Sequence, residues 1–298
     1  MLNQGDTIGI IALSGACDRE KAEQAKANIE AMGFKVKLSS NIYDKNRYLA
    51  GSDEDKISEL HRFFKDNEIK LILCARGGYG AIRLINNIDY NIIKANPKPF
   101  CGFSDVTALL LMIYRKTDMV TYHSPMACTD FAVNINCADI ISEGKGWGDG
   151  CTLQTFFRAI NGEILNFQGT KIYKEGIANG ILWGGNLSTI VSLCGQNFIP
   201  EKDFIFFAED LNEPVYKIDK MFQQLINIPQ FSKYCKGIVL GDFLDVDNEE
   251  WLNEYFEELA DRLNLPTASG FKITHNQEKI TIPVGKLANL AGKILTIG

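Results

Sequence analysis

Apolar and polar positions fall into repeating blocks along the first half of the chain. Residues 7–13 form an apolar run, and Ser14-Gly15-Ala16 turns from it into helical spacing over 19–32, which Gly33 stops. Residues 34–38 alternate as a second strand. Ser52 opens another helix, with Ile57, Leu60, Phe63 and Phe64 on one face, and residues 69–75 make a third strand. Strands and helices in this rhythm predict a parallel sheet with right-handed crossovers, in which ligands gather at the carboxyl ends of the strands.

The pattern loosens over 129–174, with a loop at 142–150 and a short helix at 153–160. Beyond it, residues 180–187 read as a strand and glycine turn leading to a short helix, and 204–208 as an apolar strand ending in Glu209-Asp210. A helix carries Val215, Met221, Phe222, Leu225 and Ile226, a strand runs over 237–243, and Trp251, Tyr255, Leu259 and Leu263 mark an amphipathic helix. Short strands close the chain. The expected fold is α/β: a parallel-sheet, flavodoxin- or Rossmann-like domain over 1–150, a linker at 151–174, and a strand-rich mixed domain over 175–298, with the active site between them. The length of 298 residues fits two domains.

Composition narrows the classes of function. With 46% hydrophobic and 23% charged residues the chain is ordinary globular material, and a net charge of -6 disfavours nucleic acid or an anionic membrane as partner. The amino terminus lacks a basic segment and reads as a first strand, not a signal peptide, and no stretch reaches the ~18 apolar residues of a membrane helix. The eight cysteines form no C-x-x-C pair. That argues against zinc, and reduced thiols in a cytoplasm are expected.

Candidate chemistry centres on Pro99-Phe-Cys-Gly-Phe-Ser-Asp-Val-Thr107. An apolar strand at 98–103 gives way to helical spacing at Val106, Leu109, Leu110 and Ile113, so Ser104 sits on a strand-to-helix turn. Such a turn exposes the hydroxyl and leaves the N–H of Asp105 free to hold an oxyanion. The competing reading is a helix cap, which Ser and Asp often supply. The third strand ends in Arg76-Gly77-Gly78-Tyr79-Gly80, which matches neither phosphate-loop pattern. Its place before the Ser104 strand puts both turns on one crevice, where a glycine N–H could complete an oxyanion hole.

A serine nucleophile needs a base, and three histidines are present. His61 flanks the packed face of its helix and reads as structural, whereas His123 and His275 both remain open. The base needs a carboxylate: Glu209 at a strand end, Asp210 and Glu213 are the candidates, Glu213 also reading as a charge at a helix start. The acidic run from Asp242 to Glu250 lacks the order and turn glycine of a calcium loop.

Ordered motifs then carry a family resemblance over nearly the whole chain: Arg76-Gly-Gly-Tyr-Gly80, Gly102-Phe-Ser-Asp105, Tyr122-His-Ser-Pro-Met126, Gly184-Gly-Asn-Leu187, Phe207-Ala-Glu-Asp210 with Glu213-Pro214 and Ile218-Asp219, Gly237-Ile-Val-Leu-Gly-Asp-Phe243, and His275 with Thr281-Ile-Pro-Val-Gly285. Together they resemble the LD-carboxypeptidases, or muramoyltetrapeptide carboxypeptidases, serine peptidases whose relatives include the microcin C self-immunity peptidases. Ser124 and Thr274 stand where that family usually has glycine.

The resemblance implies a Ser104–His275–Glu209 triad split between the domains, an acyl-enzyme, and no metal or cofactor. It places His123 in a segment lining the cleft. The N–H groups of Gly78 and Asp105 are the expected oxyanion donors, and Arg76, Gly77, His123, Trp183 and Asn186 the expected substrate contacts, with Arg76 meeting the free carboxylate. The implied substrate is a murein tetrapeptide that loses its terminal D-alanine during cytoplasmic peptidoglycan recycling; whether its third residue is diaminopimelate or lysine is open. The alternative is a peptidyl or aminoacyl nucleotide, with Trp147 or Trp183 stacking on the base. A homodimer is expected.

Overall fold

The computed structural model describes residues 1–133 and 152–298. The expected loop at 142–150, Trp147, Cys137 and Cys151 lie outside the described residues. Two sheets form the framework. The first has six strands in the order β12-β5-β4-β3-β1-β2, built from β1 (Thr7–Ile11), β2 (Lys35–Leu38), β3 (Ile69–Cys74), β4 (Phe100–Gly102), β5 (Thr121–His123) and β12 (Ile282–Val284). The first five pair in parallel and β12 runs antiparallel to β5.

Strand alternation feeds two cores. Ile8, Ile10, Leu71 and Leu73 point to one face, where they meet Ala22, Ala25 and Ile29 of helix α1 (Arg19–Ala31) together with Leu153, Phe156 and Ile160 of the helix Thr152–Ile160. Ile11, Ile72 and Cys74 point to the other face, into a core with Leu60, Phe63 and Phe64 of α2 (Asp53–Lys65) and Ile93 of α3 (Tyr90–Ala95). Burial on both faces explains the apolar runs of β1 and β3, whereas β2, at the edge of the sheet, alternates.

The second sheet has eight strands, ordered β6-β14-β13-β8-β9-β10-β11-β7. Its centre, β8 (Ile177–Asn186), β9 (Phe204–Leu211), β10 (Cys235–Leu244) and β11 (Thr267–Ser269), is parallel. Around it β6 (Leu165–Gln168), β7 (Lys171–Lys174), β13 (Leu287–Ala291) and β14 (Ile294–Ile297) pair antiparallel. The stretch expected as a linker thus contributes β6 and β7 to this sheet, while its helix packs on the first.

One strand departs from the expected division. The tail segment assigned to the strand-rich domain supplies β12 to the first sheet, where Ile282, Pro283 and Val284 oppose His123, Tyr122 and Thr121. As an edge strand it tolerates Pro283, which has no N–H to donate. The loop between β11 and β12, which holds His275, therefore spans from one sheet to the other.

Helix α4 (Thr107–Thr117) is buried on nearly every side, from Thr107 to Tyr114, because it packs between β4 and β5 of one sheet and β8 of the other. Gly185 permits that approach: a Cβ there would stand 2.5 Å from Thr107 Cγ2. Among the described residues no helix is long and apolar enough to cross a membrane.

Cys17 and Cys128 depart from the expectation of reduced thiols. The turn after β1 and the helical turn Ala127–Phe131 bring them together as a disulfide, with Cα atoms 6.9 Å apart. Cys74, Cys101, Cys194 and Cys235 are free.

Candidate active site

Strand β4 ends at Gly102, and Ser104 follows with φ of 59°, in the left-handed region that non-glycine residues rarely adopt. The chain then enters a 3-10 turn, Ser104–Val106, and α4. Phe103 and Val106 occupy the capping positions and neither turn nor helix has a side-chain cap, which removes the capping reading of Ser104. Instead the Asp105 carboxylate reaches back to accept the Ala81 N–H at 2.9 Å, tying the elbow to the end of the glycine loop. Burial pushes the Asp105 carboxyl up, against the pull of that N–H, the Ser14 hydroxyl and the charge of Lys56.

The glycine loop comes directly onto the serine. A Cβ on Gly77 would stand 2.9 Å from Ser104 Cβ, 3.0 Å from Oγ and 3.5 Å from the Asp105 nitrogen. Only glycine fits there. Gly78 is turned the other way, a Cβ on it lying 3.6 Å from Gly15 Cα and 3.7 Å from Arg76 Nη2. Gly77 O accepts the Gly15 N–H at 3.1 Å, which fixes the loop against the turn after β1.

Of the two open histidines, His275 has the carboxylate. Its Nδ1 lies 2.6 Å from Glu209 Oε2, and the Phe103 ring, one residue from Ser104, meets the imidazole edge-on at 4.9 Å. Glu209 is fully buried at the end of β9, opposite Asn186 of β8. A donor Nδ1–H toward the carboxylate leaves Nε2 as the acceptor. Gly241 of β10 makes room for the pair, since a Cβ there would meet Ile273 O at 2.2 Å and Glu209 Cβ at 3.1 Å.

The other carboxylates have different work. Asp210 faces the opposite side of β9, where Oδ2 accepts the Ser188 N–H at 2.8 Å and Oδ1 accepts the Leu211 N–H at 2.9 Å and the Asn186 amide at 3.0 Å. Burial foremost, with the nearby Glu209 charge, pushes it up to about 6. Glu213 pairs with Lys217 at 3.3 Å near the start of its helix.

Three expected substrate contacts turn out to be interior. Trp183 is fully buried among Phe198, Phe204, Phe206 and Phe231, so it is core rather than a cleft wall. Asn186 is 5% exposed; its oxygen caps the helix Leu187–Ser192 through the Thr189 N–H at 3.1 Å, and its amide donates to Asp210. His123 is 3% exposed, packed between the Phe103 and Phe207 rings. Burial, aided by the neighbouring His275 and Lys279, pushes it down to about 3, so it sits behind His275 as a neutral ring. Arg76 is exposed, its guanidinium oriented by Gly77 O and Ala16 O, each at 3.3 Å.

Sequence reasoning missed one pair. Lys279, four residues after His275, lies 4.2 Å above the Phe103 ring centre and 2.5 Å from Asp130 Oδ1, with both side chains buried. This buried pair holds the His275 loop against the segment after β5.

The description LD-carboxypeptidase N-terminal domain fits residues 8–124, and LD-carboxypeptidase C-terminal domain fits residues 179–290. The chain belongs to the LD-carboxypeptidase family. It is a serine-type carboxypeptidase, a hydrolase. Among curated relatives, a Bacillus subtilis protein named "Probable murein peptide carboxypeptidase" is 34% identical over 304 residues, spanning 99% of this LD-carboxypeptidase chain and 92% of its own. Among solved structures, an MccF-like protein from Bacillus anthracis superposes with a TM-score of 0.87 at 26% identity, covering 99% of this chain and 97% of that one. A muramoyltetrapeptide carboxypeptidase from Oxalobacter formigenes gives 0.85 at 26% identity, with 98% of each chain covered.

Proposed function

We propose that the chain removes the terminal D-alanine from murein tetrapeptides, as peptidoglycan recycling requires, through Ser104, His275 and Glu209 and an acyl-enzyme. The observation that carries this reading is the 2.6 Å contact between His275 Nδ1 and buried Glu209, packed on the residue next to a serine held at positive φ.

In this mechanism His275 Nε2 takes the hydroxyl proton as Ser104 Oγ bonds to the carbonyl carbon before the terminal D-residue. The oxyanion is held by the N–H groups of Asp105 and Gly78, each such donor being worth roughly 3 kcal/mol in the transition state. The imidazolium gives its proton to the leaving amine as the C–N bond breaks. Water, deprotonated by the same imidazole, then attacks the ester and releases the tripeptide and Ser104. The Arg76 guanidinium, exposed and without an ion pair among the described residues, is available for the terminal carboxylate.

The alternative, hydrolysis of a peptidyl nucleotide, draws support from the likeness to the MccF-like protein. With Trp183 in the core, its expected stacking wall is reduced to Trp147. Mass spectrometry of muramoyl-tetrapeptide incubated with the wild type and with Ser104→Ala decides between them. Loss of one D-alanine by the wild type alone is expected; an unchanged tetrapeptide beside cleavage of an aminoacyl sulfamoyl nucleotide analogue would favour the alternative.

A further inference from the structure

Helix α2 turns Leu60, Phe63 and Phe64 into the core, and the residue one turn before Leu60 on that same face is a lysine. The Lys56 side chain is fully buried. Lysine is almost never buried so completely without a partner, because the interior does not solvate its charge. A charge at a core position of the helix therefore points to a task that an apolar residue cannot perform.

Its surroundings define that task. Nζ lies 2.9 Å from Asp53 Oδ1, yet Asp53 is 20% exposed and already held by the exposed Arg83, whose Nε and Nη2 stand 2.8 and 2.7 Å from Oδ2. On its other side the ammonium meets the end of the glycine loop: a Cβ on Gly80, whose φ is 135°, would stand 3.4 Å from Lys56 Nζ and 3.5 Å from Ser14 O. The next residue, Ala81, gives its N–H to Asp105 Oδ2 at 2.9 Å, and the Ser14 hydroxyl and the Lys56 charge both act on that carboxylate. Arg83, Asp53, Lys56 and Asp105 thus run from the surface to the elbow with alternating sign, so that two cations balance two carboxylates.

We infer that Lys56 is a positioning residue: its buried ammonium is the countercharge that keeps Asp105 fastened to the Ala81 N–H, and through that bond it holds the Asp105 backbone N–H and the glycine loop in place beside Ser104. Asp105 links the two, since its side chain grips the loop while its own N–H is the oxyanion donor. Without the ammonium, the buried carboxylate takes up a proton or turns toward water, and either change weakens its grip on Ala81. The inference rests on the Ser104 reading above, which it deepens by adding a residue that touches no substrate.

The test is a double-mutant cycle on Lys56→Met, which keeps the stem and removes the charge, and Asp105→Asn, read by steady-state kinetics on muramoyl-tetrapeptide. Lys56→Met is expected to lower kcat on the order of 100-fold, as a misplaced oxyanion donor warrants, with KM changed by less than about threefold. In the Asp105→Asn background the same substitution should cost less than about threefold, because its target is already gone. An unchanged kcat in Lys56→Met, a loss confined to KM, or losses that multiply in the double variant overturn the inference. If the wild type leaves the tetrapeptide intact, the tetrapeptidase reading fails by itself, and amide hydrogen exchange at Ala81 reads the same cycle. Exchange about tenfold or more faster in Lys56→Met, with the amides of β9 unchanged and no further rise in the double variant over Asp105→Asn, then supports the inference. Ala81 exchange equal to the wild type, or a rise shared by β9, overturns it.

Discussion

His275 Nδ1 and Glu209 Oε2 stand 2.6 Å apart although the two residues are 66 positions apart in the chain. Glu209 is fixed at the end of a central strand of the second sheet. His275 hangs on the loop that leaves that sheet to deliver β12 to the first, and its ring packs on Phe103, the residue before Ser104. One strand, Ile282–Val284, thus couples the placement of the histidine to the sheet that carries the serine.

Replacing Glu209 by Gln keeps the shape but presents either tautomer of His275 with a satisfactory partner, so the base loses its orientation and charge support. Turnover is expected to fall on the order of 10,000-fold with circular dichroism unchanged. A loss smaller than tenfold in kcat would deny Glu209 this role.

Gly77→Ala places a methyl 3.0 Å from Ser104 Oγ without requiring positive φ. Displacement of the hydroxyl is expected to lower kcat on the order of 100-fold, and the 2.9 Å approach to Ser104 Cβ to lower the melting temperature as well. Unaltered steady-state kinetics would mean that the loop does not confine the nucleophile.

Asp210 gives the fold a pH dependence. Its carboxyl, ordinarily near 3.8, holds its proton to about 6 in the folded chain. The folded state therefore binds more protons than the unfolded one between these values, so stability from this group is complete below 3.8 and is lost as pH rises through about 6. The loss amounts to up to about 3 kcal/mol. Asp210→Asn keeps the size and cannot titrate, but its single amide oxygen retains only one of the Ser188 and Leu211 N–H bonds. Urea midpoints measured from pH 4 to 7 should decline less steeply in the variant; parallel curves would contradict the assignment.

Lys279→Met leaves Asp130 buried without its cation, which is expected to destabilise by about 3–5 kcal/mol. Adding Asp130→Asn should recover part of that loss in chemical denaturation. Additive losses in the double variant would show that the two side chains do not act as a pair.

The apolar runs of β1 and β3, the alternation of β2 and the helical spacing of Leu109, Leu110 and Ile113 in α4 made the first sheet legible, and the break at Ser104 marked the elbow, because these are local patterns. Long-range placement is what local pattern lacks. Ile282–Val284 reads as a strand in either sheet, and only pairing with β5 decides. Asp130 and Lys279, 149 residues apart, and Cys17 and Cys128, 111 apart, meet only through the fold. Trp183 sits between glycines and apolar residues, where alternation does not tell a cleft from an aromatic core. Fixing Glu209 over Asp210 required the strand's two faces, since adjacent residues point to opposite sides.

The central claim is that Ser104 is the activated nucleophile of this site. Incubation of the wild type with a serine-reactive phosphonate, followed by peptide mass spectrometry, tests it most directly. One adduct on the peptide carrying Ser104 is expected, formed much more slowly in Glu209→Gln and absent from Ser104→Ala. No adduct on the folded wild type, or an adduct on another residue that survives Ser104→Ala, would contradict it.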